Sequence, residues 1–535
     1  MPQDLISHQA PLGVIRCDAS NLIGFGHVMR CRALARELAR KGYQIIFLCV
    51  KLPIETACIL RSEFTVIEIS DTQLSGSLTA DTGESMEQVV ELRDANKCVD
   101  RLKSYGIDQI DLLICDNYDL SHKWHEAILH YYEKRSGKIP RLLVLDDLAN
   151  RRYSCDILLD SGLNESVGDE IYKMLVPSSC KLLVGPRYAV ISHEFRQLRI
   201  NKRSTISIEH VFIYFGGSET NLIELTLKVL IDMFVTLKHV DVVLGQCHED
   251  DYKKLTERWA GHNIIFHINV RSLAQIMVSA DLAIGAAGST SWERCCLGLP
   301  SIVTTIADNQ SNIASMLDEA GASIVINNSA DETYEAGLRS TLMRIMANFS
   351  ILGEIAKCSK SLCDGRGVER VVFGLINHKR SDFQVRKATI DDLDLYHSWR
   401  NEPTTRKWSF NSDHIAFDIH AEWFRHKCSS PNALLFVMTE RNGLEVGQIR
   451  FERELGSSAE SIVSFSLDPM ARGKRLSTVL IELGLEKVKM SWPNLSTCLA
   501  QVKLGNHSSV RALKLAGFKP LPSIEDGIIN LLFRF

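Results

Sequence analysis

With 535 residues the chain is too long for one hydrophobic core, and length alone points to about three to four domains. A hydrophobic content of 45% and a net charge of -4, with no basic run and no acidic tail, leave no electrostatic footprint for nucleic acid or anionic lipid. No apolar run reaches the roughly 18 residues that span a bilayer, residues 1–11 lack the regions of a signal peptide, and fifteen scattered cysteines without a CxxC pair read as reduced thiols. The expectation is a cytoplasmic protein with neither nucleic acid nor membrane as partner.

Residues 13–16 form an apolar run that leads to Asp18. The stretch Gly24-Phe25-Gly26-His27-Val28-Met29-Arg30 then opens a helix to about residue 41. A strand, a glycine-bearing turn and a helix aim free backbone N–H groups at a phosphate. His27 at that helix start reads as a catalytic base beside a bound nucleotide diphosphate. Residues 43–50, 111–115 and 142–145 are further strands, and continuous apolar strands between helices imply a parallel sheet covered on both faces. Ligands of such sheets sit beyond the carboxyl ends of the strands. Asp18, Asp116, Asn117, Tyr118, Asp146 and Asp147 stand there. The same Asp and Asn positions serve equally as helix caps and turn formers. Tyr118 suits the face of a sugar or a uracil.

The rhythm restarts with a strand at 211–215, the turn Gly216-Gly217-Ser218 and a helix to about residue 236. A strand at 281–285 leads through Gly288-Ser289-Thr290-Ser291 into a helix carrying Trp292 and Glu293. Pro300 separates that helix from a strand at 301–305, and Asp308-Asn309-Gln310 caps the next helix. Two such α/β lobes make a clamp whose cleft suits a nucleotide sugar. Glu293, one turn into its helix, can accept both hydroxyls of a ribose; stabilisation of the helix N-terminus is the alternative.

The polar stretch 378–382 marks a boundary, so the expected domains are 1–200, 201–380 and 381–535. The last begins with a strand at 384–387 and a helix at 391–401, followed by strands at 434–440, 445–452 and 461–467. Ala471-Arg472-Gly473-Lys474-Arg475-Leu476-Ser477 opens a long helix to about residue 491. A strand at 497–502 precedes Asn506 and a final helix ending at Gly517-Phe518.

Several motifs in order carry a resemblance: Asp18 with Gly24 to Cys31; Asp116-Asn117-Tyr118; Asp146-Asp147-Leu148-Ala149; Gly185-Pro186-Arg187-Tyr188-Ala189; Gly216-Gly217-Ser218; Gly288 to Glu293; and Asn309-Gln310. As a set they resemble the sugar-nucleotide hydrolases of pseudaminic acid biosynthesis, which have the two Rossmann-like lobes of the GT-B glycosyltransferases. Asn117 stands where that family usually carries His. The resemblance implies attack of water on the anomeric carbon of UDP-2,4-diacetamido-2,4,6-trideoxy-β-L-altropyranose, with UDP leaving. His27 is then the general base and Asp18 the group that orients it. Gly26, Arg30, Tyr118, Gly217, Ser218, Gly288, Ser289 and Asn309 line the substrate, Glu293 holds the uridine ribose, and no metal is required.

Ser398-Trp399-Arg400-Asn401, His420-Ala421-Glu422-Trp423-Phe424, Gly447 to Phe451, Arg472-Gly473-Lys474 and Asn506 with Ser509 resemble the GNAT N-acetyltransferases, most closely those acting on aminosugars. Such an α/β domain binds acetyl-CoA, its pyrophosphate on the 472–477 turn, with Arg472, Gly473, Lys474, Ser477, Asn506 and Ser509 as cofactor-binding residues. Arg475 replaces a family glycine, Ser477 a Gly or Ala, and Leu513 the tyrosine that protonates the leaving thiolate. The resemblance implies N4-acetylation of UDP-4-amino-4,6-dideoxy-L-AltNAc. A glycosyltransferase using a sugar acceptor on the same fold, and a UDP-sugar-binding protein without turnover, are the alternatives.

Overall fold

The structure, a computed structural model, describes residues 10–19, 26–50, 52–69, 86–199, 207–216, 219–234, 237–245, 249–268, 270, 272–327, 330–453, 459–525 and 527–535. They divide into two compact units, Met1–Leu375 and Ile376–Phe535.

The first unit holds two parallel sheets. Strands β1 (Leu12–Cys17), β2 (Gln44–Cys49), β3 (Thr65–Glu68), β4 (Leu112–Asp116), β5 (Arg141–Leu145), β6 (Ile157–Asp160) and β7 (Lys181–Val184) lie in the order β3-β2-β1-β4-β5-β6-β7. The order reverses between β1 and β4, which opens a crevice at their carboxyl ends. Both strands are buried along their whole length because helices cover both faces of the sheet. One of these helices, Gly26–Arg40, turns Cys31, Leu34, Ala35 and Leu38 inward at helical spacing.

The second sheet repeats the plan with β8 (His210–Tyr214), β9 (His239–Val243), β10 (Ile264–His267), β11 (Leu282–Ala286), β12 (Ser301–Thr304) and β13 (Ile324–Val325), in the order β10-β9-β8-β11-β12-β13. The helix Asp331–Ala347 closes one face with Tyr334, Leu338, Leu342 and Ile345, and the helix Thr290–Leu297 sits in the core of the other.

The two lobes are tied by crossing segments. Arg199, at the end of helix His193–Arg199, donates to the carbonyls of Cys296, Lys360 and Cys363 at 2.8–2.9 Å. The returning helix Gly367–Leu375 packs on Gly26–Arg40, and its last carbonyl accepts from Arg141 at 3.0 Å. Gly162, just past β6, abuts Ile313 in the helix Ser311–Glu319, just past β12: a Cβ on Gly162 would lie 3.5 Å from Ile313 Cγ1. Carboxyl-end segments of the two sheets therefore meet.

The second unit is a mixed sheet of β14 (Phe383–Lys387), β15 (Ala433–Glu440), β16 (Glu445–Glu452), β17 (Glu460–Leu467), β18 (Thr497–Lys503), β19 (Lys519–Glu525) and β20 (Ile528–Arg534), ordered β14-β15-β16-β17-β18-β20-β19. Only β17 and β18 run parallel. Their pairing stops at Val463 opposite Ala500, although β17 continues to Leu467, so the strands part. The last helix, His507–Leu515, does not close the chain as expected; β19 and β20 follow it, and β20 inserts between β18 and β19. The helices Pro403–Trp408 and Phe417–Ser429, and the short strands β3, β6, β7, β9, β10 and β13, are also additions to the sequence reading.

Gly367 is a close-approach glycine. A Cβ there would meet the Ala189 carbonyl oxygen at 2.1 Å, whereas one on Gly353, inside the helix Ser350–Leu362, meets nothing within 4 Å. Gly367→Ala is expected to lower stability by about 2–4 kcal/mol, and Gly353→Ala to raise it by roughly 0.5–1 kcal/mol. Urea unfolding of the two variants checks the contrast.

Candidate active site

At the mouth of the first crevice, His27 occupies the first turn of its helix and is largely buried. Its Nδ1 lies 2.6 Å from Asp116 Oδ1, at the end of β4. An ionised carboxylate only accepts, so Nδ1 carries a proton and donates it in this bond. The ring stands edge-on to Tyr118, with centroids 4.6 Å apart. Arg30, one turn along the helix, clamps Asp116 with two donors, Nε to Oδ2 and Nη2 to Oδ1, both at 2.6 Å. Its Nη1 donates to Asp147 Oδ2 at 2.6 Å, and the Tyr118 hydroxyl donates to the same oxygen. Burial by itself would raise the Asp116 pKa, but Arg30 and His27 hold it well below the usual carboxylate range. The imidazole is thereby fixed against a permanent negative charge.

Two expectations need correction here. Asp18 does not orient His27. Its Oδ1 accepts from the Val50 amide at 2.7 Å, its Oδ2 accepts from Asn117 at 2.9 Å, and Arg16 pairs with it at 2.6 Å. Asp18 therefore ties the end of β1 to the chain beyond β2, and the orienting carboxylate is Asp116. Arg30 is not held out to a ligand either, because both ends of its guanidinium are engaged by carboxylates; it positions Asp116. Gly26, the first residue of the helix, is exposed. Gly24 and Phe25, and on the second lobe Gly217 and Ser218, lie outside the described residues.

Asp160, at the end of β6, was missed, although it closes an apolar run just as Asp116 does. Burial and the nearby Asp147 push its carboxyl up to about 7. The single Tyr172 hydroxyl is within bonding reach of both Asp146, at 2.7 Å, and Asp160, at 2.9 Å.

On the second lobe Glu293 stands in the first turn of Thr290–Leu297, beyond the end of β11. Its Oε2 is buried without a hydrogen-bond partner, and burial pushes the carboxyl up to about 8. Tyr214, at the end of β8, feels that carboxylate and is itself raised to about 12, chiefly by burial. Glu293 thus carries a buried carboxylate oxygen that no protein group satisfies. Gly288 is close to Gln310, whose Nε2 would lie 3.6 Å from a Cβ there; Ser289 directly precedes the helix, and Asn309 is exposed on the single turn Asp308–Gln310. Gly288, Ser289, Glu293 and Asn309 thus gather beyond the carboxyl ends of the adjacent strands β11 and β12.

Among the described residues, one group of metal-type ligands converges: His210, His239 and Asp241. His210 and His239 begin β8 and β9, at the opposite end of the sheet from Glu293. His210 and His267 Nε2 each lie within hydrogen-bond reach of an oxygen of Asp241.

In the second unit the turn before Leu476–Ser491 places Gly473 at φ 77° and Arg475 at φ 61°. The left-handed conformation costs a non-glycine residue roughly 1–2 kcal/mol, which explains why glycine suits position 475. One nitrogen of the Arg472 guanidinium is engaged within the unit. Its Nη2 donates to Glu402 Oε2 at 2.6 Å and to Thr405 Oγ1 at 3.0 Å. Burial would raise the Glu402 carboxyl, but Arg472 and the amides of Thr404 and Thr405 bring it down to about 2. Lys474 Nζ donates to the Ile376 carbonyl at 3.1 Å, and Ser477 lies in the first turn of the helix. Asn506 caps the helix His507–Leu515 by accepting from the Ser509 amide at 3.2 Å, and Leu513 is fully buried.

Comparison with known proteins bears on both units. Residues 211–362 match the model of the glycosyltransferase family 28 C-terminal domain, and residues 382–519 that of the acetyltransferase (GNAT) domain. Over 528 residues the chain is 22% identical to the uncharacterized protein MJ1062 of Methanocaldococcus jannaschii, covering 94% of this chain and 95% of that one. Over 310 residues it is 26% identical to the UDP-2,4-diacetamido-2,4,6-trideoxy-beta-L-altropyranose hydrolase of Campylobacter jejuni, covering 58% of this chain and 96% of that enzyme. MurG of Acinetobacter baumannii superposes with a TM-score of 0.46 at 16% identity, covering 68% of this chain and 98% of MurG. The chain is thus homologous to the hydrolase and carries a GNAT domain as well. Among the described residues no helix is long and apolar enough to cross a membrane.

The Asp116 charge adds stability that is complete above the ordinary carboxylate pKa near 4 and lost as pH falls through its depressed value. Asp116→Asn, which removes one of the two carboxylates that neutralise the buried Arg30, is expected to cost about 3–5 kcal/mol at neutral pH. Its unfolding midpoint should change less than the wild type's between about pH 5 and pH 2. Denaturant titrations across that range check both parts.

Proposed function

We propose that the first two lobes hydrolyse UDP-2,4-diacetamido-2,4,6-trideoxy-β-L-altropyranose to the free sugar and UDP, and that the second unit is an acetyl-CoA-dependent aminosugar N-acetyltransferase. The reading rests above all on the His27–Asp116 pair: a histidine whose Nδ1 is committed to a buried carboxylate keeps Nε2 available as a base. In this scheme Nε2 takes a proton from water as the water oxygen bonds to the anomeric carbon. The bond from that carbon to the diphosphate oxygen breaks, and its electron pair leaves with UDP. The imidazolium so formed is stabilised by Asp116, whose charge Arg30 secures. Glu293 receives the two ribose hydroxyls, which supply the partners its carboxylate lacks. The homology to the hydrolase and the family 28 match over the second lobe support the same substrate class.

Acetyl-CoA is the co-substrate of the second unit, on the strength of the GNAT match. Acetylation of the 4-amino group of a UDP-linked sugar makes a diacetamido sugar, the substrate of the hydrolytic step, which is a chemical reason for one chain to carry both activities. The proposed setting is the cytoplasm, where both donors are made.

Incubation with the UDP-sugar, followed by NMR, tests the reaction: free sugar and UDP are expected, and a new glycoside would instead establish transfer. His27→Ala is expected to lower UDP release by about 10²–10⁴-fold while the UDP dissociation constant changes by less than about threefold. Equal loss of both would assign His27 a folding role.

Glu293 adds a proton-linked test. With its carboxyl raised to about 8, the free protein holds this proton at neutral pH. Hydroxyl donors favour the ionised form, so UDP binding is expected to release close to one proton at pH 7, about one per site. Calorimetry in buffers of different ionisation enthalpy reads that release. Glu293→Gln should abolish it and weaken UDP about tenfold; unchanged proton release in the variant removes Glu293 from the site.

A further inference from the structure

On the second lobe, three neighbouring strands turn one carboxylate and three imidazoles to the same face. Residues directly opposite one another in a parallel pair share a face, and so do residues two apart on one strand. His210 of β8 pairs with His239 of β9, and Asp241 follows His239 by two. Ile265 of β10 pairs with Asp241, and His267 follows Ile265 by two. The order β10-β9-β8 puts Asp241 on the middle strand, with an imidazole on each flanking strand and a third on its own. Sheet register therefore sets the convergence.

All three imidazoles reach the carboxylate through the same ring nitrogen. His210 Nε2 lies 2.6 Å from Asp241 Oδ2, His239 Nε2 3.0 Å from Oδ1, and His267 Nε2 2.5 Å from Oδ1. The His210 and His239 rings have centroids 4.6 Å apart. One ligand atom each from His210, His239 and Asp241 lie within 4.8 Å of one another. Two atoms bound to one zinc ion at about 2.0–2.1 Å are about 3–3.4 Å apart, so small side-chain adjustments let these three share an ion. The strand is fixed behind them, since the His210 amide donates to Asp281 Oδ2 at 2.9 Å. Asp241 is buried, and a carboxylate within a strand of a parallel sheet departs from the apolar run such a strand carries. Buried charges are retained where they are paired or bind metal. His239 is 33% exposed and His267 27%, which leaves an ion a path from solvent.

The donor set states which ion fits. Imidazole nitrogens with one carboxylate suit zinc and its first-row neighbours, whereas calcium and magnesium take oxygen ligands. We propose that His210, His239 and Asp241 bind one divalent transition-metal ion of the zinc type, and that His267 holds the carboxylate in place. His210 and His239 turn Nε2 lone pairs to the ion and carry their protons on Nδ1. The hydrogen bond from His267 to Asp241 is the outer contact that orients a ligating carboxylate. The ion joins β8 to β9 at the end of the sheet opposite Glu293, so it holds strands together and does not meet the nucleotide.

The test strips the full chain with a chelator and titrates Zn2+ against a chromophoric competitor, with Co2+ as a visible-absorption probe. One equivalent of Zn2+ is expected to bind with a dissociation constant of about 1 μM or tighter, and excess Mg2+ or Ca2+ should not displace it. His239→Gln changes the most exposed of the three ligands and should weaken that equivalent about 100-fold while circular dichroism stays unchanged. His267→Gln should weaken it about tenfold and keep the Co2+ spectrum of the wild type. Hydrogen exchange read by mass spectrometry places the ion: Zn2+ should slow exchange of residues 207–216 and 237–245 about tenfold or more in the wild type and not in His239→Gln. The proposal is overturned if the wild type has no such equivalent, or if the equivalent survives both His239→Gln and Asp241→Asn. It is equally overturned if Zn2+ protects other segments and leaves these two unchanged.

Discussion

The buried carboxylate of Asp116 is the centre on which the first unit's site depends. It ends β4, accepts a hydrogen bond from His27 Nδ1 and is clamped by Arg30 from the same helix as His27. A charge so deeply buried is tolerated only because the guanidinium and the imidazole satisfy it. The same bonds that neutralise the cost lock the histidine tautomer and set the helix against the end of the sheet. Arg30 extends the network to Asp147, and the Tyr118 hydroxyl joins it there, so the ends of β4 and β5 are carried along. Orientation of the imidazole and anchoring of its helix are thus one interaction.

Polar groups in this chain fall into those that the protein itself engages and those that it leaves without a partner. Asp18, Arg472 and Asn506 each have side-chain atoms engaged by the protein itself: by the Val50 amide and Asn117, by Glu402 and Thr405, and by the Ser509 amide. Glu293, Arg400, His420 and Gln448 keep buried atoms that the protein does not satisfy.

Strain tells a similar story on a smaller scale. Arg475 occupies a left-handed position where glycine would be relaxed, at the start of the helix Leu476–Ser491. The turn keeps its shape in spite of the side chain, because Arg472 on one side is braced by Glu402 and the helix on the other is buried through Leu476 and Leu480. Leu513 is absorbed into the core, so the hydroxyl that a tyrosine would offer there has no counterpart at that position.

Hydrophobic periodicity determined the alternation of strands and helices that makes two parallel lobes, because long apolar runs between helices have few other solutions, while in the second unit it stopped short of β19 and β20. It left out the short strands β3, β6, β7, β9, β10 and β13, whose few residues carry too little pattern to be distinguished from loops. It also placed His27, Asp116, Tyr118 and Glu293 at strand ends and helix starts. What it did not decide was which acid serves the histidine. Asp18 and Asp116 end neighbouring strands, and both suit the role by type. The register of β1 against β4 pairs Cys17 with Asp116, beside the helix that follows β1, whereas Asp18 lies one residue further on and is taken by the amide of Val50 beyond β2. A difference of one position along adjacent strands is set by sheet register and helix packing, and only the folded chain contains either.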